Sequence, residues 1–473
     1  MRCGMRAALS ALCIAVSLWL WLQDHSIDIS SELGAGPPLG AAWDIFKPGG
    51  FHDGERRAAL AAAEPFFEGW YIKSVADDGS VLAIIPGVFH ARGGGAAHAF
   101  VMLFDSTGAA SKVDFPVEQF RFVERGGGNR GGFDVRIGGN RFSDEGVVLD
   151  LPGVAKGELR YEGGSGGGAS LLPWPISLVS PGVMGPFAWA PWMECSHGVL
   201  SLSHTVHGSV RLLGRHAAAA AAAGGVAHFS GSAGYIEKDR GNVFPAHWLW
   251  MQTNNFDGDS AGDSAGDSAG GSAGSRRPPR VSLSASIARV PLPLIGRYID
   301  ASFPGFIVGL LVGDRLYRFA SYSGAVTSGL QVQGKRVEWT LEDARHRLQI
   351  SAKDGSAEGG RAPPDKLWGP RDGVDMLAYV NEGLHAEVNV TLCRKAAPWS
   401  AVCAEVLYRG TGRHGGIEIM AHTKQLFAQP WLLPAHFATP LHHPGAALCL
   451  LAAVLLARTP GRGARSRPKP KQQ

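Results

Sequence analysis

The sequence predicts an all-β protein, and three observations carry that expectation: glycine and proline are abundant, short apolar runs alternate with turn residues, and helical periodicity is nearly absent. The 65 glycines and 29 prolines penalise helix interiors and supply turn geometry. With 45% hydrophobic and 18% charged residues, the 473-residue chain has the composition of a globular protein with room for two or three domains.

The elements follow in order. Residues 1–22 begin with Arg2 and Arg6 and continue through an apolar run from Ala7 to Leu22, the pattern of a signal peptide or a membrane anchor. A first strand series runs through "FFEGWYIKSV", "VLAIIPGVF", "HAFVMLFDSTG", "GFDVRIGGNRFSDEGVVLDL" and "GELRYEGG", and it predicts a first β-barrel-like domain over residues 43–240. After a Pro- and Trp-rich crossing, a second series starts at "GVLSLSHTVHGSVRL" and runs through "GYIEKD" and "HWLWMQTNNF" to "HAEVNVTLCRK" and "AEVLYRGTG", and a second such domain is expected over residues 241–425. Two inserts are low in complexity, the alanine run Ala217 to Ala223 and the Gly/Ser/Asp/Ala repeat of residues 257–275, and neither is expected to bury apolar surface. Residues 446–473 hold an apolar stretch shorter than the roughly 20 residues of a spanning helix, followed by a basic tail suited to anionic lipid.

Charge and motifs narrow the function. Six basic residues lie between Arg458 and Gln473, so the formal charge of +4 belongs to the tail and the body is slightly acidic. Nucleic-acid binding, which needs a clustered basic face, has no support. No P-loop, dinucleotide fingerprint or H-E-x-x-H appears, and no metal or cofactor site is expected. The cysteines form no C-x-x-C and no readable disulfide framework; Cys393 and Cys403 can meet across a hairpin, but buried free thiols are the expectation. What remains is a membrane-associated protein that handles an apolar small molecule.

Three segments combine ionisable and aromatic residues within strand patterns. In "PFFEGWYIK", alternation puts Glu68 with Phe66, Trp70 and Ile72, where burial would raise its pKa. In "WMECSHGVLSLSHTVHGS", His204 falls in a row with Leu200, Leu202 and Val206, and Glu194 shares its parity; His197 lies between them. In "GYIEKDRGNVFPAHWLWMQTNNF", Tyr235, Glu237 and Asp239 share one face, and Trp248, Trp250, Gln252 and Asn254 share another. Acids beside a tyrosine and two tryptophans make a polar end on an aromatic wall.

These three segments, in this order, together with "GFIVGLLVGDRLYRFASYSGA", resemble the tocopherol cyclase family from about Trp43 to Met420. The resemblance implies two tandem lipocalin-like β-barrel domains. It also implies cyclisation of a prenylated hydroquinone to a chromanol, with no cofactor, in a plastid or another prenylquinone-bearing membrane. The chemistry adds a phenolic O–H across an alkene: protonation makes a tertiary cation that the phenol oxygen captures. A carboxylic acid kept neutral by burial, aromatic faces beside the cation and exclusion of water would serve it. Glu237 is the expected general acid, with Tyr235, His204 and Asp239 as its catalytic partners. Trp248, Trp250, Gln252, Asn254, Glu68, Trp70, Glu194 and His197 are expected to bind substrate. One departure stands out: Arg240 occupies a position where the family carries tryptophan, and a cation there could hold Glu237 ionised. An isoprenoid hydratase that admits water, and a noncatalytic prenylquinone or lipid carrier, are the alternatives.

Overall fold

A computed structural model describes residues 26–28, 52–123, 133–162, 171–172, 174–175, 182–189, 193–260, 280–291, 302–356, 361–398 and 400–427. The fold is all-β. Two curled antiparallel sheets of eleven strands each dominate it, with a separate two-stranded ribbon, Leu367–Pro370 with Met376–Val380.

The first sheet is drawn from Phe66 to Gly241. Its order begins Ala110–Pro116, Ala97–Asp105, Val81–His90, Phe66–Val75, and passes through the long strands Val226–Gly241 and Cys195–Leu212. It ends Ala155–Glu162, Gly146–Leu151, Asn140–Ser143, Asp134–Ile137, Phe120–Phe122. The sheet curls so that residues from both flanks, such as Val101 and Leu149, meet in one core with Trp70, Ile72 and Ile236. The second sheet is drawn from Trp248 to Ile419 and wraps a core around Leu249, Met251, Leu283 and Trp339. Ser26–Asp28, although it precedes the first sheet in sequence, adds to the second as an edge strand on Arg315–Ala320.

A further core lies between the sheets, built from Phe104 and Tyr235 of the first and Trp248, Trp250 and Leu311 of the second. It exists because these strands bury both faces. On Val226–Gly241, Ile236 packs into the first sheet's core while Tyr235 packs against the second sheet. On Trp248–Thr253, Leu249 and Met251 turn into the second core while Trp248 and Trp250 turn outward to the first sheet. Side chains of this size each contribute about 1.5–3 kcal/mol by burial, which makes the seam a packed one.

Several sequence expectations need correction. Asp53–Ala61 is an α-helix, inside the span assigned to the first β-barrel-like domain and ahead of its first expected strand. The alanine run is not an inert insert: it lies in the 3₁₀ segment Gly214–Ala223, whose Ala220 is buried in the first core and whose His216 is held by Asp105 at 2.6 Å and Ser111 at 2.8 Å. Identical side chains along the run left no pattern to mark the one alanine that is buried. Cys393 and Cys403 form a disulfide instead of free thiols, their Cα atoms 5.5 Å apart on the strands Glu382–Lys395 and Cys403–Ile419. The 257–275 repeat begins inside a strand, Asn255–Ser260, and the rest of it lies outside the described residues. Residues 1–22 and 446–473 lie outside them too, and among the described residues no helix is long and apolar enough to cross a membrane.

Candidate active site

The seam between the sheets opens into a cavity of about 190 Å³. Its walls are largely apolar and aromatic, with Phe100, Phe244, Phe306 and Trp368 among them, and its polar lining includes four carboxyls, Glu237, Asp239, Glu382 and Glu418, with His197 and Tyr71.

Alternation along Val226–Gly241 selects which side chains reach the cavity. Glu237 and Asp239 face it, Tyr235 supports them, and Lys238 turns the other way. Glu237 is 4% exposed. Its Oε2 accepts the Tyr235 hydroxyl at 2.6 Å and the Trp250 indole N–H at 3.1 Å, with His197 Nε2 at 3.7 Å. The other ring nitrogen of His197 lies 2.9 Å from Asp239 Oδ1. Tyr235 also reaches Ser284 Oγ at 3.0 Å, which ties the acid to the second sheet.

Burial pushes the Glu237 carboxyl up to about 7, against the pull of His197 and reinforced by Asp239, with the Tyr235 and Trp250 bonds opposing. His197 rises to about 9: burial alone would lower it, and Glu237 and Asp239 more than reverse that. Near neutral pH the pair is therefore a histidinium between two acids, one of them poised to exchange its proton. His197, Glu237 and Asp239 bring ligand atoms within 4.8 Å of one another, close enough to invite a metal reading. The hydrogen bonding argues against it, because His197 Nδ1 and Asp239 Oδ1 are already bonded to each other and Glu237 Oε2 already accepts from two donors.

The second sheet adds two acids that sequence reading missed. Glu418 accepts the Trp248 indole N–H at 2.5 Å, and Glu382 accepts the Tyr71 hydroxyl at 2.5 Å. Burial lifts the Glu418 carboxyl to about 8. The backbone register pairs Glu418 with both Glu382 and Trp250, so three neighbouring strands carry the cluster. Gly416 leaves the room this needs: a Cβ there would sit 2.9 Å from the Trp250 ring and 3.0 Å from the Tyr71 hydroxyl.

The remaining candidates are placed elsewhere. Glu68 does share a face with Trp70 and Ile72, but that face turns into the first sheet, not into the cavity. There Glu68 is fully buried in an ion pair with Lys238 and 2.9 Å from His52 Nδ1. Burial would raise its carboxyl as the sequence suggested, yet Lys238 and His52 carry it below the ordinary carboxylate value. Trp70 borders the cavity, but its ring stacks on Phe133 and Phe120 and lies under the Lys238 ammonium, 4.9 Å away.

His204 also faces the first core, not the cavity, its ring 4.3 Å from that of Tyr161 and its Nδ1 2.9 Å from Ser201 Oγ. Register irregularities on either side of Ser201 break the predicted row: Leu200 and Val206 enter one core and Leu202 the other. Glu194 stands just before this strand, partly buried; its neighbours Met193 and Cys195 line the cavity but it does not, and its carbonyl accepts from Asn242 N at 2.8 Å. Gln252 accepts from Lys73 at 3.0 Å, and Asn254 donates to the Gly234 carbonyl at 2.8 Å, so both brace strands at the seam. Trp248 and Trp250 do line the cavity.

Arg240 does not approach Glu237. It shares the parity of Lys238 and pairs with Glu55 of the helix Asp53–Ala61 at 2.9 Å. Arg240→Trp is accordingly expected to leave turnover and its pH profile unchanged; a marked rise in turnover would show that the arginine does restrain the acid.

No protein-family model and no curated protein matches the chain. Among solved structures it is similar to CghA, with a TM-score of 0.42, 11% identity and coverage of 76% of this chain and 88% of that one. It is also similar to kievitone hydratase from Nectria haematococca, with a TM-score of 0.33, 10% identity and coverage of 76% and 89%. The geometry of the site itself carries the functional reading.

Proposed function

We propose that the protein is an enzyme that adds an O–H group across an alkene of an apolar substrate, and that its reaction is closure of a prenylated hydroquinone to a chromanol. The observation that carries this reading is the buried cluster of Glu237, His197 and Asp239, joined by Glu382 and Glu418, at the wall of an aromatic cavity between the sheets. The motif resemblance to tocopherol cyclases adds to it.

The chemistry fits what the chain supplies. Alkene protonation needs a carboxyl that is still protonated near neutral pH, and burial provides such groups here in Glu382 and Glu418. The tertiary cation needs electron-rich faces, and the rings of Trp248 and Trp250 stand beside the acids. The phenolic proton needs an acceptor, and the Glu237 carboxylate, steadied by Tyr235, Trp250 and His197, is one. Apolar walls keep out the water that would otherwise capture the cation. Tyr235 and Asp239 act by positioning Glu237 and His197. A prenylquinone-bearing membrane, with the terminal apolar segments as its contacts, is the proposed location.

Purified protein incubated anaerobically with methyl-phytylbenzoquinol tests the reading: a product of unchanged mass and new retention is expected. A product heavier by one water would instead make it a hydratase, and tight binding without conversion would make it a carrier. Turnover is also expected to survive exhaustive chelation, and a loss reversed by one particular divalent metal would contradict the acid–base account.

A further inference from the structure

The cavity holds more carboxyls than one proton transfer uses, and they are held differently. Glu382, 1% exposed, reaches the cavity wall from the strand Glu382–Lys395. Its Oε1 accepts the Tyr71 hydroxyl, while its Oε2 is buried with no hydrogen-bond partner. A carboxylate left that way would keep a buried oxygen with no donor, whereas a carboxylic acid has a proton to offer whatever enters.

The charged and titratable groups facing it come from three strands: Tyr71 and Lys73 of Phe66–Val75, Glu418 of Cys403–Ile419 and Glu237 of Val226–Gly241. Lys73 directs its ammonium to Gln252 at 3.0 Å. Burial first, and then the repulsion of Glu418, push the Glu382 carboxyl well above the ordinary range, with the Tyr71 bond and the Lys73 charge pulling back. Glu237 is the opposite case, since two donors and a nearby imidazole converge on one of its oxygens, the arrangement that steadies an anion.

We infer that Glu382 is the general acid of the ring closure and Glu237 the base that receives the phenolic proton, a division of roles that rests on the cyclisation reading above. The Glu382 O–H bond breaks as its proton bonds to the less substituted alkene carbon. The phenol oxygen bonds to the tertiary carbon, and its proton passes to the Glu237 carboxylate. The product is an isomer of the substrate, and return of one proton from Glu237 to Glu382 resets the site. Two carboxyls whose surroundings separate their protonation states thus supply both halves of the addition.

The test is the pH profile of kcat/KM with methyl-phytylbenzoquinol for wild type, Glu382→Gln and Tyr71→Phe. Wild type should show an acidic limb, where Glu237 must be ionised, and an alkaline limb, where Glu382 must be protonated. Glu382→Gln should bind the quinol, lose about a hundred- to ten-thousandfold in ring closure, and lose the alkaline limb in what activity remains. Tyr71→Phe removes the bond that holds the Glu382 pKa down, so the alkaline limb should move upward; this arm decides the matter if Glu382→Gln does not fold. Near-normal closure by Glu382→Gln, or an unmoved alkaline limb in Tyr71→Phe, overturns the assignment while the cyclase reading stands. Absence of chromanol from wild type at every pH overturns the cyclase reading itself, and this assignment with it.

Discussion

Glu237→Gln should bind a prenylquinol about as well as wild type and close its ring about a hundred- to ten-thousandfold more slowly, the loss that removal of a proton-transfer group brings. The amide has the size of the acid, and its carbonyl oxygen can still accept from Tyr235 and Trp250, so the cavity wall keeps its shape. What disappears is an oxygen that can take up and release a proton. His197 also loses one of the two anions that raise its pKa and should titrate lower, an effect visible by NMR of the imidazole. Equilibrium binding and single-turnover kinetics separate the two quantities. Near-normal closure by this variant would move the proton transfer to other carboxyls of the cluster.

Lys238→Met should destabilise the fold by about 3–5 kcal/mol, the cost of leaving one member of a buried ion pair without its partner. Lys238 is 3% exposed and Glu68 fully buried, and His52 Nδ1 lies 3.0 Å from the ammonium, so no solvent reaches the anion left behind. The lysine also covers the Trp70 ring, 4.9 Å away. Denaturant midpoints measure the loss. Adding Glu68→Leu should restore much of it, because an apolar pair in place of a buried ion pair is often no less stable. A single variant as stable as wild type would show that the pair carries little. Because Lys238 faces the first core, any folded fraction should still turn over.

The contrast between these two neighbours shows what the sequence could convey. Alternation alone separates Glu237 from Lys238 and puts Tyr235, Glu237 and Asp239 on one face. It does not say which face meets a cavity, because on Phe66–Val75 both faces are buried. Glu68 and Trp70 were grouped with each other, but the face turned to the second sheet belongs to Tyr71 and Lys73. His204 is the same case: it keeps the face of Leu200 and Val206, which is the first core, and the irregular register around Ser201 displaces only Leu202 from that row.

Glu382 and Glu418 are the deepest omission. Each stands at one end of a strand with no aromatic or second acid beside it, in "YVNEGL" and "GGIEIM", apart from a tyrosine three residues before Glu382, and more than a hundred residues from Glu237. Only the packing of one sheet on the other gathers them. The all-β class itself was legible throughout, since turn chemistry and two-residue periodicity are local.

Ring closure carried out in D₂O tests the central claim most directly. If a protein carboxyl protonates the alkene, each chromanol formed from unlabelled methyl-phytylbenzoquinol should carry one non-exchangeable deuterium, on the carbon next to the new ether carbon. Chromanol formed by the protein without deuterium at that carbon would mean that no carboxyl exchanging with solvent delivers the proton, and it would contradict the account.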